Sequence, residues 1–201
     1  MTVSEDSERG ELSGVTGQSL VTLAEQLRAV PARLGSTRLV VIDGPAGSGK
    51  TTLAELLAAE LAAAVVHMDD LYDGWDQDLD QMWPRLWSEV LQPITRGEPA
   101  RYHCYDWAAG EFNAWVEVPP PTILIVEGVG SAGGPVDDLG TIIWVEAPED
   151  VRLERGIARD GAAYREHWLA WMAAEQEHFR LAGTRDRAAI IVDGTADLQL
   201  G

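Results

Sequence analysis

The sequence predicts an α/β fold of three layers, in which a mostly parallel sheet of five strands is covered by helices on both faces. Short apolar runs rich in β-branched residues alternate along the chain with longer stretches of helical periodicity. Parallel strands need helical crossovers of this kind between them. A glycine-rich turn also follows the first apolar run and precedes a helical stretch, which is where the ligand-binding edge of such a sheet lies.

The individual elements follow from periodicity and from capping residues. Ser19 is suited to cap the first helix, and Pro31 follows the end of that helix. The predicted helices cover residues 19–30, 51–64, 81–94 and 148–181, and the predicted strands cover residues 39–42, 65–68, 123–126, 142–145 and 190–192. Residues 1–17 are acidic and lack an apolar period, so we expect a mobile leader before a single domain at 18–201.

The charge balance excludes several classes of partner. The chain has 33 acidic residues against 15 basic ones, a net charge of −18. Nucleic acids and anionic membranes are bound by fields of Lys and Arg, so we expect neither as a partner. The single Cys104 excludes an intrachain disulfide and a cysteine zinc site. With no apolar stretch of about 20 residues that would span a membrane, and no targeting signal, we expect a cytoplasmic protein.

The glycine-rich turn matches the phosphate-loop pattern G-x-x-x-x-G-K-[ST]. Its glycines allow backbone torsions at which successive N–H groups point at phosphate oxygens, and the dipole of the next helix adds positive potential there. Lys50, the only lysine of the chain, is predicted to reach the β- and γ-phosphates, and Thr51 to bind Mg²⁺. The predicted ATP-binding residues of this loop are Gly44, Pro45, Ala46, Gly47, Ser48, Gly49, Lys50, Thr51 and Thr52.

Absent motifs narrow the class of nucleotide protein. A GTPase reads guanine with an N-K-x-D element, and a chain whose only lysine lies in the phosphate loop has none. There is also no segment like the LSGGQ signature of transporter ATPases. The remaining class is a small-molecule kinase that uses ATP and Mg²⁺.

Two carboxylates follow predicted strands at the ligand edge of the sheet. Asp69 ends the 65–68 run, which we expect beside the strand of the phosphate loop, and there it is placed to act as a general base or to cap a helix. Glu127 ends the run at 123–126 and is predicted to bind magnesium, with the acceptor as the alternative. The other aspartates of segment 67–80 are expected in a solvated loop. They do not form a calcium loop, because Gln81 and Trp87 occupy two key positions.

Three arginines lie on one face of the predicted helix after residue 148. Arg152, Arg155 and Arg159 are spaced at i, i+3 and i+7, and forked guanidinium donors suit phosphate oxygens. The spacing predicts a local cationic strip on this helix. The alternative is an ordinary surface helix, in which Glu154 and Asp160 pair with these arginines.

Five motifs, in this order, resemble the uridine kinase and phosphoribulokinase branch of P-loop kinases. They are the phosphate loop, DDLY at 69–72, YDW at 105–107, IVEG at 125–128 and R-x-x-R-x-x-x-R-D at 152–160, and the likeness spans about residues 38–194. The resemblance implies a P-loop NTPase fold and transfer of the γ-phosphoryl group of Mg·ATP to a hydroxyl group of a nucleoside or similar metabolite.

The resemblance also assigns roles to individual residues. It implies that Asp69 accepts the proton of the acceptor hydroxyl and that Lys50, Arg155 and Arg159 act on the phosphates in catalysis. Arg152 is implied to bind the triphosphate, and the segment at about 149–165 is implied to form a small arginine-bearing lid. The implied acceptor-binding residues are Tyr72, Asp76, Tyr105 and Trp107, with Trp75 paired to Asp76 and with Asp78 as the alternative to Asp76.

Departures from the family pattern leave the acceptor open. The segment AAGEFNAW after YDW has no histidine, and Gly156 follows Arg155 where the family tends to have a second arginine. Two alternatives therefore remain: a nucleotide-binding regulatory protein without turnover, and a nucleoside monophosphate kinase. The second needs further cations, for which Arg85 and Arg101 are the candidates. A homo-oligomer is also left open.

The tryptophans divide into two groups. Of the eight in the chain, Trp75 and Trp107 are on predicted loops, where they are suited to stack on a flat acceptor. The others named here are expected to pack in the core: Trp83, Trp87, Trp168 and Trp171.

Overall fold

The computed structural model describes residues 19–75 and 78–196. The predicted leader at 1–17 and the predicted acceptor ligand Asp76 lie outside these residues. The strands are β1 (Arg38–Asp43), β2 (Ala64–His67), β3 (Ala100–Asp106), β4 (Glu111–Val118), β5 (Ile123–Glu127), β6 (Gly140–Glu146) and β7 (Ile190–Asp193). The helices are α1 (Leu20–Ala29), α2 (Lys50–Leu61), α3 (Met82–Leu86), α4 (Gln92–Thr95), α5 (Glu149–Asp160), α6 (Arg165–Ala182) and α7 (Thr184–Arg187).

The predicted three-layer architecture is confirmed. Five strands form one parallel sheet in the order β2-β5-β1-β6-β7. Alternate residues of each strand face opposite sides of a sheet, so β1 contributes Val40 and Ile42 to one core and Leu39 and Val41 to the other. The first core contains the apolar faces of α1 and α2, and the second contains Trp171 of α6 and the helical segment 82–95.

The strand order corrects one expectation. The strand next to β1 on this side is β5, and β2 lies beyond it at the edge of the sheet. All five residues of β5 are buried, whereas only Val66 of β2 is. The strand that is covered on both faces and paired on both sides is therefore the fully buried one. As a result Glu127, and not Asp69, ends the strand adjacent to the phosphate-loop strand.

Two predicted helices are interrupted. The 148–181 segment breaks at Gly161, whose φ of +99° leaves helical geometry, and a 3₁₀ turn at Ala162–Tyr164 then leads into α6. The 81–94 segment is helical through Thr95 but contains a π-helical turn at Trp87–Leu91 between α3 and α4. The predicted burial of Trp168 and Trp171 is confirmed, and Trp83 and Trp87 stack on each other against the second core.

The sequence reasoning missed a β-hairpin. Strands β3 and β4 pair antiparallel in a separate two-stranded sheet, with an irregularity between Cys104 and Tyr105. Most residues of β4 are exposed, so neither strand has the continuous apolar pattern of the central strands. The hairpin matters for function because its turn carries Trp107 to the ligand edge of the main sheet.

Candidate functional site

A cavity of about 590 Å³ opens where the phosphate loop, the end of β5 and α5 meet. It brings together residues that are far apart in the sequence. The predicted site residues that line it are Ala46, Gly47, Gly49, Lys50, Thr51, Thr52, Asp69, Tyr72, Trp107, Glu127, Arg155 and Arg159. The predicted residues Gly44, Pro45, Ser48, Arg152 and Tyr105 do not line it.

The phosphate loop owes its path to glycine. Gly44, Gly47 and Gly49 have φ values of +142°, +77° and +105°, which side chains disfavour. A Cβ atom on Gly47 would also lie 2.7 Å from the backbone oxygen of Arg152. Gly49 caps α2 without a side-chain hydrogen bond, so the first N–H groups of that helix are available to an anion in the cavity.

Lys50 is the buried cation of the loop. Its side chain is largely buried, and its Nζ donates a hydrogen bond to the Pro45 carbonyl oxygen at 2.9 Å. The ammonium group is thereby held across the loop at the edge of the cavity. A bound phosphate is a stronger acceptor than a neutral carbonyl oxygen, so this contact is exchangeable.

Thr51 and Glu127 offer paired oxygen atoms at the start of α2. The Thr51 hydroxyl donates to Glu127 Oε1 at 3.2 Å, and His67 Nδ1 lies 2.6 Å from the same oxygen. The hydrogen bond to Glu127 raises the pKa of His67. Among the described residues no cluster of three or more His, Cys, Asp or Glu side chains is placed to hold a metal. The pair therefore fits Mg²⁺ of the kind that is held by one or two protein oxygens together with phosphates.

Asp69 faces the cavity from a 3₁₀ turn that follows β2. The turn spans Met68–Asp70 and has His67 at its N-cap, so Asp69 is not a helix cap. The dense protein surroundings of the carboxylate raise its pKa by reducing its hydration, and the charge of Glu127 raises it further. Lys50 and Arg159 act in the opposite direction. A carboxylate held in this way is suited to accept a proton.

Two of the three arginines of α5 reach the cavity. Arg155 donates to the carbonyl oxygens of Gly47 and Gly194, each at 3.1 Å. Arg159 is paired with Asp160 at 2.8 Å and lies over the ring of Trp168 at 5.5 Å. The salt-bridge alternative is thus observed for Arg159, although both guanidinium groups also line the cavity.

Arg152, in contrast, lies behind the phosphate loop. Its Nη1 donates to Glu175 Oε1 at 2.7 Å and to the Ala46 carbonyl oxygen at 3.3 Å, and its Nε donates to the Ala147 carbonyl oxygen at 3.2 Å. The other oxygen of Glu175 accepts from the Ala46 N–H group at 2.8 Å. Burial raises the pKa of Glu175, against the effects of Ala46, Lys50 and Arg152. The structure thus gives Arg152 protein partners, where the resemblance implied a triphosphate contact.

Aromatic rings form a large part of the cavity lining outside the phosphate loop. Trp75 is central to them: its ring centroid lies 5.5 Å from that of Trp107, 6.0 Å from that of Trp171 and 6.4 Å from that of Tyr164. Trp107 also donates its Nε1–H to the carbonyl oxygen of Asp69 at 3.0 Å. We call the cavity-lining rings of Tyr72, Trp75, Trp107, Tyr164, Trp168 and Trp171 the aromatic wall.

Two tyrosines implied to bind the acceptor have partners within the protein. The Tyr72 hydroxyl donates to the Val129 carbonyl oxygen, so only its ring is available to the cavity. Tyr105 packs edge-on against Trp107, with ring centroids 5.3 Å apart. It supports the aromatic wall from behind.

Gly156 explains the missing second arginine of the family pattern. A Cβ atom at this position would lie 2.3 Å from Cε2 of Trp168, so the indole occupies the space of any side chain. The Trp168 Nε1–H in turn donates to Asp160 Oδ2 at 2.9 Å. The departure at 156 therefore follows from the packing of α5 against α6.

The sequence reasoning missed several residues of the site. Tyr164 and Asp160 line the cavity, and Glu175 holds the loop from behind. Fully buried Asp43 accepts hydrogen bonds from the N–H groups of Gly44, Gly130 and Ala132, which ties the loop to the end of β5. The one available signal was an acidic residue within an otherwise apolar strand or helix face, as at Asp43 and Glu175.

Comparison with known proteins gives a family and a fold. A family model described as an AAA domain matches residues 40–176. A protein from Bacillus stearothermophilus described as a possible uridine kinase superposes with a TM-score of 0.61 at 18% identity, over 87% of this chain and 97% of that one. A protein from Silicibacter sp. TM1040 described as a proposed fructose transport system kinase superposes with a TM-score of 0.51 at 24% identity, over 88% of this chain and 98% of that one.

These structural matches show that the chain has the fold of P-loop kinases. No curated protein sequence matches the chain significantly. Within the described residues, no helix combines the length and the apolar character that crossing a membrane requires.

Proposed function

The chain belongs to the AAA domain family, and from this premise we propose that it is a kinase that transfers the γ-phosphoryl group of Mg·ATP to a hydroxyl group of a nucleoside or similar small metabolite. One observation carries the proposal. Lys50, Asp69 and Glu127 open on a single cavity together with Arg155 and Arg159 of α5. Such a cavity contains both a phosphate-binding side and a candidate base for the acceptor.

The phosphate side supplies binding and charge. The N–H groups at the start of α2 and the Lys50 ammonium group bind the phosphates, and Thr51 and Glu127 would hold Mg²⁺, which would neutralise phosphate charge there. Arg155 and Arg159 line the same space. When they exchange their protein partners for phosphate oxygens, they stabilise the charge that develops during transfer.

The transfer step requires one proton acceptor. The acceptor oxygen forms a bond to the γ-phosphorus, the bond from that phosphorus to the β–γ bridging oxygen breaks, and ADP leaves. The hydroxyl proton passes to the carboxylate of Asp69. The raised pKa of Asp69 brings it closer to the proton affinity that this role needs.

The aromatic wall supports an acceptor with a flat or apolar body. Stacked and edge-on rings bind such a body by burial of apolar area. The cations that line the cavity, among the described residues, are Lys50, Arg155 and Arg159, which all belong to the phosphate side. An acceptor that lacks a phosphate group of its own therefore fits best.

The two arginines that a nucleoside monophosphate kinase would need for the acceptor phosphate have other partners in this structure. Arg85 donates to the carbonyl oxygens of Leu71 and His103 and to Glu89 Oε1. Arg101 lies over the ring of Trp115, 4.6 Å from its centroid. Neither arginine lines the cavity.

The test is phosphoryl transfer from γ-labelled ATP to a panel of acceptors. Nucleosides come first, followed by sugars and pantothenate-like alcohols. We expect a labelled product and acceptor-dependent ADP release with at least one class. ADP release that does not depend on acceptor would identify an ATPase instead. Saturable ATP binding with no turnover across the panel would identify a nucleotide-binding protein without kinase activity.

A further inference from the structure

A buried ion pair between Arg152 and Glu175 holds the backbone of one residue of the phosphate loop, Ala46. None of the predicted residue roles accounts for this pair. Arg152 donates to the carbonyl oxygen of Ala46, and Glu175 accepts from the N–H group of the same residue. The two side chains are joined at 2.7 Å, with exposed fractions of 12% and 1%. Both backbone polar groups of Ala46 are thus satisfied by one buried pair that comes from α5 and α6.

Helix α5 also touches the loop at the next residue, Gly47. The backbone of Arg152 leaves no room for a Cβ atom on Gly47, and Arg155 donates to the Gly47 carbonyl oxygen at 3.1 Å. The helix that carries the cavity arginines is therefore attached to the loop at two consecutive residues. A change in the loop backbone at Ala46 or Gly47 would displace α5 with it.

The two charges of the pair depend on each other. Removing one partner of a buried pair leaves an uncompensated charge, which is much less favourable than the intact pair. Here the charge left after loss of Arg152 would be the Glu175 carboxylate, which is close enough to Lys50 for the lysine charge to affect its pKa. An unpaired carboxylate beside a phosphate-binding loop opposes the binding of an anion.

We infer that Glu175 and Arg152 are positioning residues for nucleotide binding, which fix the backbone of Ala46 so that the phosphate loop and α5 are held in one geometry before ATP arrives. The inference rests on the proposed function only in taking the loop to bind ATP. Glu175 does not line the cavity and acts through the loop. Arg152 acts in the same way, as the partner of Glu175 and of the Ala46 carbonyl oxygen.

The first test is the affinity for the magnesium complex of a non-hydrolysable ATP analogue, measured by titration well below the unfolding temperature of each variant. We expect Glu175→Gln to weaken binding about tenfold, which corresponds to loss of one charge-assisted hydrogen bond. The matched control is Glu177→Gln, which removes an exposed pair with Arg180 on the same helix and leaves affinity unchanged. The acceptor KM is expected to stay the same in both variants.

A double variant separates positioning from direct phosphate contact. If the pair acts as a unit, Arg152→Ala combined with Glu175→Gln binds the analogue no more weakly than Arg152→Ala alone. If Arg152 were instead a phosphate ligand, Glu175→Gln would keep the affinity of the parent and only the Arg152 change would lower it. That result overturns the inference.

The second test needs no nucleotide. Amide hydrogen exchange of the segment 44–50 is expected to be faster in Glu175→Gln than in the parent and unchanged in Glu177→Gln, because Ala46 loses a charged acceptor. Unchanged exchange in Glu175→Gln overturns the inference, and so does a lowered melting temperature with unchanged affinity. If Glu175→Gln does not fold, Arg152→Lys takes its place, since it keeps the charge and loses the guanidinium contacts with the Ala46 and Ala147 carbonyl oxygens.

These readouts distinguish the inference from the proposed function. A parent that binds the analogue but phosphorylates no acceptor contradicts the proposed function and leaves the inference standing. A parent that does not bind the analogue overturns both.

Discussion

The phosphate side and the acceptor side of the cavity are formed by different kinds of chemical group and by different structural elements. The phosphate side consists of backbone groups, glycines and the cations Lys50 and Arg155, and it is formed by one continuous segment with α5 against it. The acceptor side consists of rings from the loop at Trp75, the hairpin turn at Trp107 and the helix at Trp168 and Trp171. The phosphate side takes its shape from local backbone geometry, which α5 and α6 hold in place, and the acceptor side is formed by packing between distant segments.

This difference separates general phosphate binding, on one side of the cavity, from selection of the acceptor, on the other. Phosphate is the same group in every nucleotide, so a short loop with fixed torsions is sufficient to bind it. An acceptor must be distinguished from many metabolites of similar size, which requires shape and stacking from several elements. We therefore expect changes on the phosphate side to act through ATP and changes in the aromatic wall to act through the acceptor.

The largest expected effect lies on the boundary between the two sides, at Asp69. Asp69→Asn keeps the shape of the side chain and removes the proton acceptor, so kcat should fall about 10³-fold, within the range for general base catalysis. The affinity for the ATP analogue should not change. Steady-state kinetics and analogue titration measure the two quantities.

The control for this change is Asp73→Asn, in an exposed residue of the same loop that does not line the cavity. It should leave kcat as in the parent. Turnover of Asp69→Asn within a few-fold of the parent would mean that Asp69 is not the base.

A smaller effect is expected at the centre of the phosphate side. Lys50→Arg keeps the net charge but replaces a compact ammonium group by a larger planar fork in a buried position. We expect kcat to fall about 10²-fold, as when one preorganised donor is lost. The control Arg28→Lys exchanges the same two groups at an exposed pair with Glu60 and should have no effect. Parent-like kinetics of Lys50→Arg would show that only the charge matters.

On the acceptor side the expected effect is smaller again. Trp107→Ala removes one ring of the aromatic wall, and the KM for the acceptor should rise about tenfold, in line with the loss of a buried aromatic contact. The KM for ATP should stay unchanged. The matched control is Trp115→Ala on the same hairpin, where the ring is 59% exposed and outside the cavity. A rise in the KM for ATP with Trp107→Ala would break the division between the two sides.

The smallest expected effect is a displaced pH profile. The reduced hydration of the Asp69 carboxylate among dense protein surroundings and the charge of Glu127 raise its pKa, so the protonated form persists to a higher pH than for an ordinary aspartate. Only the carboxylate accepts a proton, so kcat/KM for the acceptor should be lost as the pH falls through this raised pKa. The acid limb should disappear in Asp69→Asn and be absent from the titration of the ATP analogue. An acid limb that appeared both in kcat/KM for the acceptor and in the affinity for the ATP analogue would contradict the assignment of Asp69 as the base.

The phosphate side of the cavity could be predicted from the sequence more completely than the acceptor side. The reason is the same difference between local backbone geometry and packing of distant segments. The loop at Gly44–Thr51 could be predicted because its torsions are encoded by neighbouring glycines and by the helix that follows. The five strands of the main sheet were apparent from their apolar runs. Their order was not, because the pairing of β5 with β1 depends on contacts between residues 80 or more positions apart.

The side-chain partners of residues on α5 and α6 could also not be predicted from the sequence. A spacing of i, i+3 and i+7 places three arginines on one face, but it does not say that Arg152 meets Glu175 while Arg155 and Arg159 reach the cavity. The hairpin could not be recognised either, because its exposed strands lack the pattern of buried ones. The aromatic wall depends on that hairpin, and so only its individual tryptophans were identified.

The contact between Gly156 and Trp168 limits how this site can change. A family-like arginine at 156 would collide with the indole, and a smaller residue at 168 alone would leave a hole between α5 and α6 and an Asp160 without its indole partner. Either substitution alone damages the protein. Only the two together restore a filled interface between α5 and α6. Helix α5 of this chain is therefore separated from the paired-arginine form by a two-step mutational path, and a designer who wishes to convert one form into the other should change both positions at once.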